Sequence, residues 1–193
     1  MTKFELLHKL KDKMELDDKL PLKSSESKLV FGSGNTEADI LICGEGPGAQ
    51  EAKTGLPFVG QAGKLLDKLL NLAELERKNV FITNIVHHRP PENRDPLPNE
   101  IHCYGKYLDE IIKIIDPKII ITLGRFSMAK FLPDVFISQV HGKEYEVKWS
   151  DKKFIVIPMY HPAASLRNGK ILEAEKQDFI KLKETITRIL LFS

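Results

Sequence analysis

The stretch that decides the fold is ADILICG at residues 38–44, which runs directly into GEGPGAQEAKTGLPFVGQAG at residues 44–63. The first part is a short, almost continuous run of apolar side chains. Such a run is typical of a strand that is covered on both faces, as the strands of a parallel sheet are. The glycines that follow allow the backbone to turn sharply. We therefore predict a buried strand that ends in a tight turn.

Three further segments have the same apolar, β-branched character: NVFITNIV at residues 79–86, KIIITLG at 118–124 and KFIVIPMY at 153–160. Apolar side chains at helical spacing occupy the remaining intervals, at residues 1–14, 61–72, 98–115 and 170–191. Strands alternating with helices predict a parallel sheet with helices on both faces. The predicted fold class is α/β, a three-layer α/β/α sandwich with a central four-stranded parallel sheet.

Length and composition limit the class of protein. With 193 residues, of which 42% are hydrophobic, the chain can fill one core, so we predict a single domain over residues 1–193. Within it we expect an N-terminal helix and connecting segment at residues 1–30 and the working core at 31–193. The formal net charge is only +2. DNA binding therefore cannot be inferred from overall charge and would need basic residues gathered on one face.

Other classes of protein are disfavoured. Cys43 and Cys103 are too few for a disulfide framework. No apolar run approaches the roughly 20 residues of a membrane span, and the charged start of the chain does not resemble a signal peptide. We expect a cytoplasmic protein with no membrane partner.

Polar and glycine-rich segments follow each predicted strand. They cover residues 45–48, 84–94, 124–127 and 161–168. The carboxyl ends of parallel strands meet at one edge of the sheet, and ligands bind in the crevice outside that edge. We therefore expect the four segments to form one site.

The first of these loops presents two carboxylates and an aromatic ring, from Glu45, Glu51 and Phe58. Three residues of the same loop permit close approach to a ligand or stiffen the turn: Gly46, Pro47 and Gly48. The loop matches neither the dinucleotide fingerprint nor the phosphate-loop pattern. Phe58 has two interpretations: an anchor in the core, which is the usual place of a phenylalanine, or a platform on which a flat ring stacks.

Asn84 and His161 each stand at or just beyond the end of a predicted strand. The amide of Asn84 carries a donor and an acceptor, which either cap a turn or read the edge of a pyrimidine. His161 begins the sequence HPAA, in a short loop stiffened by proline. It is either a structural histidine or a catalytic one, and its place at a strand end favours the second interpretation.

Five residues of the second and fourth loops are candidates for DNA contact: Arg89, Arg94, Ser165, Leu166 and Arg167. Arginines and hydroxyls pair with phosphates. Leu166 is either a simple packing residue or a wedge that enters the base stack.

Three further histidines suggest no metal site. His141 lies in VHGKEYEVKW, which indicates a hairpin or a loop, and we assign it a structural role. The spacing of His87, His88 and Cys103 matches no standard zinc pattern. We therefore predict no metal.

Three motifs, GEGPGAQEAKTGLPFVGQAG, ITNIVHHRPPENRDPLPNE and HPAASLRN, occur in this order and at a spacing that resembles the family 4 uracil-DNA glycosylases. The resemblance runs from about residue 19 to the C-terminus. It implies the glycosylase fold and a DNA-repair activity that hydrolyses the N-glycosidic bond of uracil, releases free uracil and leaves an abasic site. It also implies the catalytic set Glu45, Asn84 and His161.

The resemblance assigns substrate contacts as well. Phe58 matches the residue that stacks on uracil, and Asn84 matches the one that reads the uracil edge. The other positions that match the pocket of the family are Gly46, Pro47, Gly48 and Glu51. Among them, Glu51 matches an acid beside the pyrimidine.

One departure concerns a cofactor. The family typically holds an iron–sulfur cluster with four cysteines, and Asp17, Leu20 and His88 stand at three of those positions here. Only Cys103 remains. One thiolate cannot hold a cluster that needs four ligands, so we expect no cofactor.

The expected partner is uracil-containing DNA, double- or single-stranded, bound by a monomer. Three alternatives stay open. One is a glycosylase that also accepts hypoxanthine or xanthine, and another is a non-catalytic protein of the same fold that binds uracil-DNA or single strands. The third is a nucleotide-binding α/β module, which the missing phosphate-loop pattern disfavours.

Overall fold

The computed structural model describes residues 1–149 and 152–191. One mixed sheet contains six strands in the order β1-β3-β2-β4-β6-β5. The strands are β1 (Ser33–Gly34), β2 (Ile40–Gly44), β3 (Phe81–Asn84), β4 (Ile119–Leu123), β5 (Tyr145–Trp149) and β6 (Lys152–Met159). The four predicted strands are the four central ones, and they run parallel to one another. The α/β fold class is therefore confirmed.

The sheet is larger than the four strands predicted. β1 pairs antiparallel with β3 at one edge, and β5 pairs antiparallel with β6 at the other. β1 is only two residues long, and none of the residues of β5 is buried, so neither forms the continuous apolar run of a covered strand. The pairing of β5 with β6 makes the segment after His141 a hairpin, which is one of the two structures that its sequence indicated.

Eight α-helices lie in the described part of the chain: α1 (Lys3–Glu15), α2 (Ala49–Thr54), α3 (Gln61–Leu72), α4 (Pro98–Ile115), α5 (Arg125–Ala129), α6 (Ile137–Val140), α7 (Pro162–Ser165) and α8 (Gly169–Leu191). The four long ones are those predicted. Single 3-10 turns cover Arg77–Asn79 and Pro91–Asn93. The short helices were not predicted, because four to six residues carry too little periodicity to be recognised.

Alternate residues of the strands bury their side chains in two separate cores. Leu41 and Cys43 of β2 belong to a core shared with α1 and α4. Ile40 and Ile42 belong to a core shared with α3 and α8. The alternation follows from the two-residue period of a strand, and it produces the three predicted layers.

The N-terminal segment belongs to the first of these cores. Three side chains of α1, those of Leu7, Leu10 and Met14, pack in the same core as Tyr104 and Leu108 of α4. None of the described helices is long and apolar enough to cross a membrane.

The strand register brings the strand ends together. Gly44 at the end of β2 is paired with Asn84 at the end of β3. Leu123 at the end of β4 is paired with Met159 at the end of β6. The residues that follow the four parallel strands therefore emerge side by side at one edge.

Replacing Met14 with Ala tests the contribution of the N-terminal helix to the core. Met14 is fully buried, so we expect the free energy of unfolding to fall by about 2–5 kcal/mol. Urea denaturation followed by circular dichroism measures this change. Leu16→Ala is the matched control, because Leu16 is 80% exposed and its removal should change stability little. Equal effects of the two substitutions would mean that α1 is not part of the core.

Candidate active site

A cavity of about 450 Å³ opens at the carboxyl edge of the parallel strands. Its lining includes all the residues predicted to be catalytic or to contact the base: Glu45, Gly46, Pro47, Gly48, Glu51, Phe58, Asn84 and His161. Arg94 and Arg167 also line it. The volume is in the range of pockets that enclose a small organic ligand. The first, second and fourth of the predicted loops therefore meet at one cavity, whereas residues 124–127 are not part of its lining.

Gly44 is the point at which Asn84 and Phe58 meet. A Cβ at this position would lie 2.5 Å from Asn84 Oδ1 and 2.6 Å from Cζ of Phe58. Any larger residue would push both side chains away. The amide and the aromatic ring therefore share one wall of the cavity.

Asn84 offers an unused acceptor to this cavity. The residue is 1% exposed, and its Oδ1 has no hydrogen-bond partner among the described residues. An unpaired buried polar atom costs about 1–3 kcal/mol. A ligand that donates a hydrogen bond to this oxygen would remove the cost, so the unpaired atom indicates a binding position.

Phe58 is held in an unusual backbone conformation. Its φ is 51°, a left-handed value that non-glycine residues rarely adopt. Arg77 Nη1 donates to the Phe58 carbonyl oxygen at 2.9 Å, and Arg77 Nη2 donates to the Pro57 carbonyl. Arg77 also pairs with Asp67 at 2.9 Å. The guanidinium therefore stabilises the turn that presents the ring, and nothing in the sequence near Arg77 indicated this role.

Glu51 holds the same loop from the other side. Its Oε1 accepts hydrogen bonds from the backbone N–H groups of Val59 and Gly60, both at 2.8 Å. One carboxylate oxygen is thus occupied by the loop that follows Phe58. The contact between Glu51 and a pyrimidine stays a prediction.

His161 is the N-cap of α7, and its Nδ1 accepts a hydrogen bond from the Ala163 N–H at 3.1 Å. An Nδ1 that accepts leaves the proton of a neutral imidazole on Nε2. Burial lowers the pKa of His161 to about 4, and the charge of Glu51 opposes this shift only in part. His161 is therefore a neutral donor at physiological pH. Its ring lies 5.8 Å from that of Phe58, centroid to centroid.

Glu45 lies beside His161 on the other wall. Its Oε1 accepts from the Phe126 N–H at 3.1 Å. A Cβ on Gly124 would overlap the Glu45 carboxylate and would lie 3.1 Å from Cβ of His161. Gly124 therefore leaves room for the Glu45 carboxylate beside the Cβ of His161. Burial raises the pKa of Glu45 above its ordinary value, although the Phe126 N–H opposes the shift.

Known proteins are similar in sequence to this chain. The profile of the Uracil DNA glycosylase superfamily matches residues 31–184. The type-4 uracil-DNA glycosylase of Sulfurisphaera tokodaii is 44% identical over 184 residues, which are 92% of this chain and 84% of that protein. That of Archaeoglobus fulgidus is 44% identical over 172 residues, 86% of each chain. That of Thermotoga maritima is 38% identical over 189 residues, 97% of this chain and 98% of that protein.

The chain belongs to the type-4 uracil-DNA glycosylases. The family to which the three motifs pointed is confirmed, and with it the glycosylase type of the α/β fold.

In this type-4 chain, two of the predicted DNA contacts are partly used within the protein. Arg94 forms a two-pronged ion pair with Glu100, at 2.8 and 2.6 Å, and Glu100 is only 4% exposed. Arg89 Nε donates to Asn93 Oδ1 at 2.8 Å. These bonds shape the loop between β3 and α4. DNA contact by Arg89 and Arg94 stays a prediction.

The loop after His161 separates inward-facing and outward-facing side chains. Ser165 is 2% exposed, and its hydroxyl is hydrogen-bonded to Glu175. Leu166 is 50% exposed, and Arg167 is exposed without an ion pair in the described ranges 1–149 and 152–191. Leu166 and Arg167 are therefore free to reach a ligand. A contact between the Ser165 hydroxyl and DNA would first require it to leave Glu175.

The positions at which the family resemblance implies cluster cysteines do not suit an iron–sulfur cluster here. Asp17 Oδ2 accepts from Lys106 Nζ at 2.8 Å and from the Tyr107 hydroxyl at 2.7 Å, and these bonds hold its pKa well below the ordinary range. Leu20 is buried and has no donor atom. His88 Nδ1 is hydrogen-bonded to the Tyr104 hydroxyl at 2.8 Å, which leaves a single cysteine thiol.

No group of three metal-ligating side chains comes together elsewhere in the described part of the chain. Asp17 and His88 are instead joined to the protein by hydrogen bonds, and Leu20 by apolar packing.

The tautomer and charge of His161 can be measured by nuclear magnetic resonance. We expect its imidazole to carry the proton on Nε2 and to stay neutral until the pH falls towards about 4. Since the folded protein keeps the neutral ring, the contribution of His161 to stability should decrease as pH falls below 6.5 and reach its lower limit near pH 4. Nitrogen shifts recorded across this range report both properties, and His161→Gln assigns the resonance. A midpoint near 6.5 would contradict the neutral imidazole with a lowered pKa.

Proposed function

We propose that this chain removes uracil from DNA by hydrolysing the N-glycosidic bond, which releases free uracil and leaves an abasic site. The observation that carries the proposal is the unpaired Oδ1 of Asn84 in a cavity that also contains Phe58 and His161. Membership in the type-4 family supports the same activity.

The base is recognised by its flat face and by one edge. The ring of Phe58 provides a surface for stacking. The edge of uracil presents a ring N–H donor beside a carbonyl acceptor, and the amide of Asn84 offers the complementary pair. Cytosine reverses this pattern, and each mispaired group in a dry site costs about 1–3 kcal/mol. The pocket should therefore select uracil over cytosine.

The bond breaks with its electron pair moving onto uracil, so negative charge develops on the ring nitrogen and on the neighbouring carbonyl oxygen. A neutral imidazole whose Nε2–H points to that oxygen stabilises the charge, as the donors of an oxyanion hole do. His161 has the required tautomer. Glu45 lies on the adjacent wall, where its carboxylate stabilises the positively charged sugar and orients the attacking water.

The base must leave the stack before it can enter the cavity. Leu166 and Arg167 project outward beside the cavity and are the side chains that we assign to filling the gap and binding a phosphate. Arg89, Arg94 and the backbone around Ser165 complete the proposed DNA surface. We propose that a monomer with one domain over residues 1–193 acts in this way in the cytoplasm, on uracil-containing DNA that is double- or single-stranded.

We also propose that the reaction proceeds without an iron–sulfur cluster. The hydrogen bonds of Asp17 and His88 and the apolar side chain of Leu20 support this, because those positions offer no thiolate. None of the residues that line the cavity is one of the four former ligand positions.

Replacing Asn84 with Asp tests recognition of the base. A carboxylate has no donor for the uracil carbonyl, so we expect the single-turnover rate of uracil release to fall by about 100-fold, equivalent to about 2.7 kcal/mol. A labelled oligonucleotide with one uracil, treated with alkali after incubation, reports the rate as strand cleavage.

Asn79→Asp is the matched control, because Asn79 is exposed near the start of the same strand. It should cleave like the parent. If the parent retards the oligonucleotide in a gel but leaves it intact after alkali, the chain is a binding protein and not a glycosylase.

The absence of a cluster can be tested on the purified protein. We expect substoichiometric iron, no iron–sulfur band in the ultraviolet–visible spectrum and unchanged activity after treatment with a chelator. Cys103→Ser should behave like the parent, because a half-buried thiol that ligates nothing can be exchanged for a hydroxyl. A band that is present in the parent and lost in this variant would contradict the proposal.

A further inference from the structure

The helix that carries His161 is too short to be stable alone. α7 has four residues, whereas isolated helices shorter than about 12–15 residues are marginal in water. Its orientation must therefore come from contacts with other elements. α8 packs against it and supplies buried acidic side chains at the contact.

The first contact is at the C-terminal end of α7. Glu175 of α8 is 0% exposed and is hydrogen-bonded to the hydroxyl of Ser165, itself 2% exposed. Its second oxygen, Oε1, has no partner within the described residues. Burial raises the pKa of Glu175 to about 7, and nearby Asp178 acts in the same direction. A residue chosen only to fill space here would be apolar, because burying a carboxyl is costly.

The second contact is at the other end of the same segment. Asp178, one helical turn after Glu175, accepts from His141 Nδ1 at 2.6 Å. The His141 ring packs on the ring of Tyr160 with centroids 4.5 Å apart. Tyr160 directly precedes His161 in the chain. A Cβ on Gly142 would overlap the Asp178 carboxylate, so the turn approaches α8 closely.

None of these five side chains lines the cavity: Tyr160, His141, Ser165, Glu175 and Asp178. Their contacts lie near the two ends of the segment 160–167, which carries His161 near its start and Leu166 and Arg167 at its end. Ser165 faces inward to Glu175, and the two side chains that follow it are exposed.

We propose that Glu175 and Asp178 of α8 are positioning residues that fix the two ends of segment 160–167, so that the imidazole of His161 and the side chain of Leu166 keep their places relative to the cavity. The catalytic consequence rests on the proposed function, whereas the effect on the conformation of the segment does not.

The two ends of segment 160–167 are expected to affect the reaction differently. Loss of the Ser165–Glu175 bond frees Leu166 and should weaken removal of uracil from duplex DNA more than from single strands, since only the duplex requires the base to be extruded from a paired stack. Loss of the Asp178–His141 bond frees Tyr160 and His161 and should slow the reaction on both substrates.

Ser165→Ala tests the first end. We expect amide hydrogen exchange in residues 162–167 to become about tenfold faster, with exchange in the central strands unchanged. The single-turnover rate on duplex DNA should fall by about tenfold, with a smaller change on single strands. Glu175→Gln keeps a group that can bond the Ser165 hydroxyl and should stay within a few-fold of the parent. Glu173→Gln, on an exposed turn of the same helix, is the control.

The double variant Ser165→Ala with Glu175→Leu separates positioning from simple stability. It replaces the buried polar pair by apolar groups, which can restore the melting temperature. If stability recovers while the duplex rate stays low and exchange stays fast, the pair positions the segment. If the rate recovers together with stability, the role is merely structural and the proposal is wrong.

Asp178→Ala tests the second end. We expect a rate about tenfold lower on duplex and single-stranded DNA alike, with DNA affinity unchanged within a few-fold. Unchanged hydrogen exchange in residues 160–167 in both Ser165→Ala and Asp178→Ala would overturn the proposal. A parent protein that releases no uracil would instead refute the proposed function, and the exchange data would still decide the positioning roles.

Discussion

The side chains of Asn84 and Phe58 both rest on the Cα of Gly44, and this contact is possible only because residue 44 has no side chain. The sheet brings Asn84 next to Gly44, since the two residues are paired at the ends of neighbouring parallel strands. Gly124 repeats the arrangement one strand further along the sheet, between Glu45 and His161. The two walls of the cavity thus depend on two missing side chains at the edge of one sheet.

The loops that complete the cavity have little regular structure. Hydrogen bonds from side chains stabilise their backbone. Glu51 accepts from two backbone N–H groups, and Arg77 donates to two carbonyl oxygens on either side of the strained Phe58 turn. Glu100 holds Arg94 and the start of α4 in the same way. Groups fixed before the substrate arrives do not have to be ordered during the reaction, which lowers the cost of reaching the transition state.

The N-terminal region is attached to α4 by hydrogen bonds and apolar packing. Asp17 ties the segment after α1 to Tyr107 of α4, and His88 ties the loop after β3 to Tyr104 of the same helix. Leu20 and Leu22 are buried in the core between them. The helix α4 therefore connects both segments, and the loop around Arg89 keeps its shape through ordinary hydrogen bonds and apolar contacts.

The sequence alone determined the elements that depend on local pattern. Continuous apolar runs identified β2, β3, β4 and β6, because strands covered on both faces need no alternation. Helical spacing identified the four long helices, and the common direction of parallel strands placed Glu45, Phe58, Asn84 and His161 in one crevice. Only the tertiary structure revealed the edge strands β1 and β5, the hydrogen bond from Arg77 to the Phe58 carbonyl and the hydrogen bond between Ser165 and Glu175. These features depend on contacts between residues that are far apart in the chain. The residues adjacent in the sequence do not indicate which distant group a side chain will contact.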